Sequence, residues 1–219
     1  MTRFVQPEAQ RGSQKWLQKL INEKSSLLDS KLAAILGEDT IQWLSPLKSD
    51  NYAEYRDEAV LELLGVRLDV VYLNKFWPNR GPQWDALGKS SRGKLFLVEA
   101  KSHIPELLST FGGTSQASIS RIMSSLQETK DYFSSKTDFD WSKTFYQYAN
   151  RLAHLYFFRK SNLDAYLVDL YFYGDSDMDG PKSIDEWQGA IRLVRSCLGL
   201  REVQLRKWVI DVFIDVASL

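Results

Sequence analysis

The sequence predicts an α/β domain in which a mixed β-sheet is flanked by helices. Three observations carry this. Segments with apolar residues at helical spacing alternate with apolar runs of strand length. Two such runs face each other across a polar turn in Pro82 to His103, PQWDALGKSSRGKLFLVEAKSH, the pattern of a β-hairpin. And 219 residues, 44% of them apolar and including seven Trp, ten Tyr and eleven Phe, suffice for one full core without a second domain.

In chain order, Ser13 to Gly37 places Trp16, Leu17, Leu20, Ile21, Leu28, Leu32, Ile35 and Leu36 at helical spacing, with Ser13 as a cap and Gly37 as the stop, and predicts one helix. Glu38 to Lys48 reads as irregular. A second helix is expected from Ser49 or Asp50 to Leu64, ended by Gly65, with Tyr52, Tyr55, Ala59, Val60, Leu63 and Leu64 on its buried stripe. At about 100° per residue, Glu62 falls at the edge of that stripe, and Glu54 and Glu58 point further into solvent. Val66 to Leu73 alternates apolar residues with Arg67 and Asp69 and predicts the first strand. In the loop Lys75 to Gly81, Phe76 and Trp77 read as core caps ahead of a platform for bases. Residues 1–48 form a helical extension and 49–219 the core and its elaboration, within a single domain.

The hairpin holds the chemistry. Asp85 sits in its first apolar run, and Glu99 and Lys101 sit in its second, between Leu95, Leu97, Val98 and Ala100. Residues two apart share a face of a strand, so Glu99 and Lys101 point the same way, with Asp85 about 5 Å across the ladder. Charges in an apolar sheet are costly unless they are paired, metal-bound or catalytic. The Leu95 to Ala100 run is apolar on both faces and predicts a buried central strand.

Further on, Thr114 to Phe133 and Trp141 to Ser161 predict helices. The entrance Gly112-Gly113-Thr114-Ser115 reads as capping by Thr114 or Ser115, since it lacks the Lys of a phosphate loop. In the second helix Gln147, Asn150 and Arg151 adjoin at i, i+3 and i+4. Leu163 to Tyr173 predicts a buried strand, Ser183 to Leu198 an amphipathic helix, and Lys207 to Val216 a final strand.

Asp85 and Glu99-Ala100-Lys101, with an upstream helical glutamate, resemble the PD-(D/E)xK nucleases, the restriction-endonuclease-like superfamily. Pro82 stands three residues before Asp85 here, not directly before it. The tripeptide [DE]-x-K also occurs at Asp29 to Lys31 and Glu128 to Lys130, but there it lies within helical spacing. The resemblance implies an α-β-β-β-α-β core, one or two Mg²⁺ (or Mn²⁺) held by Asp85, Glu99 and Glu62, and phosphodiester hydrolysis in which Lys101 positions water or neutralises charge. Gln147 is similar to a helical Gln that some branches place beside the metal. The implied partner is nucleic acid, DNA ahead of RNA, and a homodimer is compatible with it. The alternative is the same fold without catalysis, serving as a nucleic-acid or protein binding module.

Charge neither supports nor excludes this, because 28 basic residues balance 28 acids. Lys75 to His103 is locally basic, with six Lys and Arg against Asp85 and Glu99, and Leu163 to Trp187 is acidic. Asp175, Asp177, Asp179, Gly180 and Glu186 have the spacing of a calcium loop. Ser183-x-x-Glu186 is also a capping box, which accounts for Glu186 without an ion. The lone Cys197 can form no internal disulfide, and no stretch has the apolar length of a signal or a membrane span, so a cytoplasmic location and no membrane partner are expected. With only His103 and His154 and no G-x-S-x-G, a Ser-His-Asp hydrolase is unsupported.

Overall fold

The computed structural model describes residues 3–37, 39–113 and 115–219. In chain order the elements are β1 (Arg3–Phe4), α1 (Gly12–Glu23), α2 (Ser25–Leu36), β2 (Ile41–Ser45), β3 (Glu54–Tyr55), α3 (Glu58–Leu64), α4 (Val70–Phe76), β4 (Ala86–Ser90), β5 (Leu95–Lys101), α5 (Gln116–Tyr132), α6 (Tyr146–Lys160), β6 (Ala165–Tyr173), α7 (Ile184–Cys197), α8 (Glu202–Leu205) and β7 (Val209–Asp215). Five strands form the main sheet in the order β2-β4-β5-β6-β7, and β1 pairs with β3 apart from it. The β2-β4 and β4-β5 pairs are antiparallel, whereas β5-β6 and β6-β7 are parallel, so the sheet is mixed as expected.

Strand β5 lies at the centre with all seven residues buried. Its two faces meet different layers. Phe96, Val98 and Ala100 pack with Leu17, Leu20, Leu28 and Leu32 of α1 and α2. Leu95 and Leu97 join the other core, filled by α3 to α7 with Trp77, Trp84, Trp141 and Trp187. Period-two alternation therefore aims Glu99 and Lys101 at the second layer, beneath α6.

The start of the chain departs from the expectations. The single helix over Ser13 to Gly37 is two helices, broken at Lys24 (φ −138°, ψ 26°). A straight helix of that length would span about 36 Å, against about 23 Å for a seven-residue strand, and the break lets both halves cover the sheet. The segment read as irregular contains β2, whose Trp43 packs on Phe96 with ring centroids 6.3 Å apart. Helices α1 and α2 thus build one face of the main sheet and β2 one edge, so this stretch is part of the core fold and not a separate extension.

Val66 to Leu73 is not a strand. Asp69 accepts a hydrogen bond from the Val71 N–H at 2.9 Å and caps α4, leaving Val71 and Tyr72 exposed. The place beside β4 is taken by β2, so the alternating segment has no ladder to join, and local capping decides its state. The helix expected from Ser49 or Asp50 begins only at Glu58, after β3. The strand beside β4 is β2, with β3, α3 and α4 intervening between them in the chain.

The later elements follow the sequence closely. Helix α6 starts five residues after Trp141, and Ser183 caps α7, accepting from the Glu186 N–H at 3.3 Å. Ser115 precedes α5 without a side-chain cap bond, and the capping role read for Thr114 lies outside the described residues. Among the described residues no helix is long and apolar enough to cross a membrane.

Candidate functional site

Asp85 immediately precedes β4. Its N–H donates to the Val98 carbonyl at 3.2 Å, and its Oδ2 accepts from the Ala100 N–H at 2.8 Å. The carboxylate is thereby fixed over the end of β5. There Glu99 and Lys101 form a direct ion pair between Oε1 and Nζ. Lys101 Nζ also donates to Gln147 Oε1 at 3.0 Å. Gln147 occupies the first turn of α6, where its N–H donates to Ser109 Oγ at 2.7 Å. Asp85, Glu99, Lys101 and Gln147, singled out from the sequence, therefore meet in one place.

Glu62 does not join them. It is exposed on α3, because that helix begins at Glu58 and the angular phase counted from Tyr52 does not apply. Glu54, read as solvent-facing, is buried in β3 instead, and its carboxylate accepts from Gln83, Gln14 at 3.2 Å and Gln6 at 3.1 Å. Burial raises its pKa against those amide bonds, and the charge of Glu99 adds to the rise.

Two further residues complete the cluster. Arg151, one turn beyond Gln147, donates through Nε to Glu99 Oε2 at 2.5 Å. Asp169 of β6 stands beside Glu99 in register and is buried. Its Oδ2 has no hydrogen-bond partner, and the nearest cation is Arg195 Nη2 at 3.9 Å. Each carried a signal in the sequence. Asp169 is the lone charge inside AYLVDLYFY, as Glu99 is at the end of LFLVEAK, and Arg151 has the i+4 spacing from Gln147.

Electrostatics divide these acids. Burial pushes Asp85 well above the ordinary carboxylate range, and the neighbouring Glu99 charge pushes it further. Glu99 is equally desolvated, but Arg151 and Lys101 outweigh burial and hold its pKa low. For Lys101, burial favours the neutral amine, and Glu99 and Asp85 outweigh it, so the ammonium persists. Glu99, Lys101, Glu106, Gln147, Arg151 and Asp169 line a narrow cleft of about 20 Å³, room for about one water.

The donor chemistry suits a hard divalent cation. Mg²⁺ typically takes one or two carboxylates and fills its remaining positions with water and phosphate oxygens. Asp85 and Glu99 supply two carboxylates, and a cation between them would relieve the repulsion that raises Asp85. Among the described residues no ready-made group of three or more His, Cys, Asp or Glu surrounds such an ion.

The basic residues of the β4-β5 turn are largely engaged within the fold. Lys89 Nζ donates to the Leu64 carbonyl at 2.9 Å and Lys94 Nζ to the Leu36 carbonyl at 3.3 Å, each at a helix C-terminus. Arg92 between them is exposed. In the acidic loop, Asp175 is buried, whereas Asp177 is exposed. Glu186 Oε2 accepts from the Lys182 N–H at 2.9 Å, completing the contacts that tie this glutamate to the α7 terminus. Comparison of the chain with family models, with curated proteins and with solved structures finds no match in any of the three.

Proposed function

We propose that this chain is a metal-dependent nuclease of restriction-endonuclease-like architecture, hydrolysing phosphodiester bonds of nucleic acid, with DNA ahead of RNA as substrate. The observation that supports it is the convergence of Asp85, Glu99, Lys101 and Gln147 at the junction of β4, β5 and α6. Mg²⁺ or Mn²⁺ held by Asp85 and Glu99 would supply Lewis-acid activation of water and neutralise charge on the phosphate. Lys101 is kept protonated by Glu99, and its ammonium offers N–H donors to the attacking water or to the oxygen on which charge develops. Gln147 Oε1 fixes the direction of that ammonium. Asp85 is itself fixed by the Ala100 amide, so its carboxylate need not reorganise on binding.

A second reading is a binding module on the same scaffold. It is favoured by one observation: both oxygens of Glu99 are already satisfied by Lys101 and Arg151, so the cluster can persist as a structural ion network. Mn²⁺ binding by calorimetry, with Mg²⁺- and Mn²⁺-dependent cleavage of mixed DNA and RNA, separates the two. The nuclease reading expects Asp85→Asn and Glu99→Gln to lose metal affinity and cleavage together, and Lys101→Ala to retain metal but not cleave. Metal binding and cleavage surviving in both acid variants would sink the site assignment. Wild type that binds nucleic acid, ignores metal and cuts nothing would establish the binding module.

A further inference from the structure

Arg151 is 5% exposed and held on three sides. Nε donates to Glu99 Oε2 at 2.5 Å, Nη2 donates to the Gln83 carbonyl at 2.8 Å, and the guanidinium lies 5.0 Å from the ring centroid of Trp84. Lys101 takes the other Glu99 oxygen. The glutamate that the nuclease reading assigns to a divalent cation therefore already has a cation on each oxygen.

We propose that Arg151 is the internal counter-ion of Glu99, displaced from Oε2 when a divalent cation binds, so that Arg151 sets the affinity of the site for that cation. This rests on the nuclease reading. Without Arg151, Glu99 would be a desolvated carboxylate facing only Lys101, near the half-buried Asp85 and the buried Glu54, two further acids. A buried charge that loses a partner is strongly destabilised. With Arg151 present, the fold is neutralised before any ion arrives. The contacts to Gln83 and Trp84 do not involve Glu99, so they can retain the guanidinium once Oε2 is given up. The exchange then costs one charge-assisted hydrogen bond and does not expel a buried side chain. Arginine suits this role because its fork reaches the Gln83 carbonyl and the carboxylate at once, which a lysine ammonium on one stem does not match.

The test compares full-length wild type, Arg151→Gln, Arg151→Lys and the double variant Arg151→Gln/Glu99→Gln, by Mn²⁺ calorimetry and by melting temperature in EDTA and in millimolar Mn²⁺. Arg151→Gln is expected to melt below wild type in EDTA, to bind Mn²⁺ about tenfold more tightly or better, and to show the larger Mn²⁺-induced rise in melting temperature. Arg151→Lys should fall between, and the double variant should lose the gain. Wild type that binds Mn²⁺ while Arg151→Gln binds it no more tightly overturns the counter-ion role and leaves the nuclease site standing. No Mn²⁺ response in either protein overturns both. Should Arg151→Gln fail to fold even with Mn²⁺, Arg151→Lys decides: affinity no greater than wild type refutes the proposal.

Discussion

Glu99 and Asp169 stand side by side on the parallel strands β5 and β6, equally buried on the same face of the sheet, and their ionisation is driven in opposite directions. Glu99 has Lys101 and Arg151 on its oxygens, and its pKa is held low. Asp169 has an unpartnered Oδ2 and Asp211 on its other flank, and burial together with that charge raises it to about 8. The cation that could have served it, Arg195, is instead bidentate to Asp211 at 2.8 and 2.6 Å. One strand separates an ionised carboxylate from a neutral carboxylic acid, and the difference lies in where the guanidinium groups point.

Asp169 therefore makes stability fall with rising pH. Its folded pKa of about 8 lies above the unfolded value of about 3.9, so between those values the fold holds a proton that the unfolded chain does not. Asp169→Asn cannot ionise and escapes this loss. In urea unfolding the variant should match wild type only near about pH 4 and below, and exceed it by a margin that grows up to about pH 8. A stability difference independent of pH would show that Asp169 is not protonated in the fold.

His154 works at the acid end. It is buried against Phe76 and Trp77, its Nδ1 N–H donates to the Asn150 carbonyl at 3.0 Å, and burial lowers its pKa to about 3. Below about pH 6.5 the unfolded chain takes up a proton that the fold refuses, so this histidine's contribution declines from there down to about pH 3. His154→Gln should be less stable than wild type at neutral pH, and the deficit should narrow as pH falls to about 4. A deficit that stays constant would mean the ring is charged in the fold.

Gln147 touches Lys101 but no carboxylate of the cluster. On the nuclease reading, Gln147→Leu should leave Mn²⁺ affinity within about twofold of wild type and lower the cleavage kcat by about tenfold or more, since it frees a donor whose aim matters in the transition state. The pH dependence of cleavage should keep its shape. Equal losses in metal affinity and kcat would place Gln147 at the metal instead.

The acidic loop after β6 packs against the end of β5. A Cβ built at Gly180 would lie 2.2 Å from the Ser102 carbonyl oxygen, one residue beyond Lys101. Gly180→Ala should therefore cost about 1–3 kcal/mol in chemical denaturation. Glu186 is committed to the α7 terminus and Asp177 is exposed, so millimolar Ca²⁺ should raise the melting temperature of neither protein. A Ca²⁺-dependent rise abolished by Asp177→Ala would restore the loop as an ion site.

Local pattern determined the second half of the chain and the heart of the site. β5 announces itself by an apolar run too long for one face, α7 by Ser183 and Glu186, and Asp85, Glu99 and Lys101 by charge placed where an apolar sheet must pair it. In each case the deciding interaction lies within a few residues, or across a hairpin whose turn sets the register. The first third was decided by tertiary structure. Ile41 to Ser45 becomes a strand because β4 offers an open edge, Val70 to Phe76 a helix because that edge is then taken, and the run beginning at Gly12 bends at Lys24 to cover both ends of the sheet. Once Glu58, not Asp50, began α3, Glu54 turned inward and Glu62 outward. Arg151 and Asp169 reach Glu99 from elements 52 and 70 positions along the chain, and only the stacking of α6 on β5 and the parallel register of β5 with β6 bring them there. Long-range pairing competes with local preference at every such position, and which one prevails depends on which partner surface remains unoccupied.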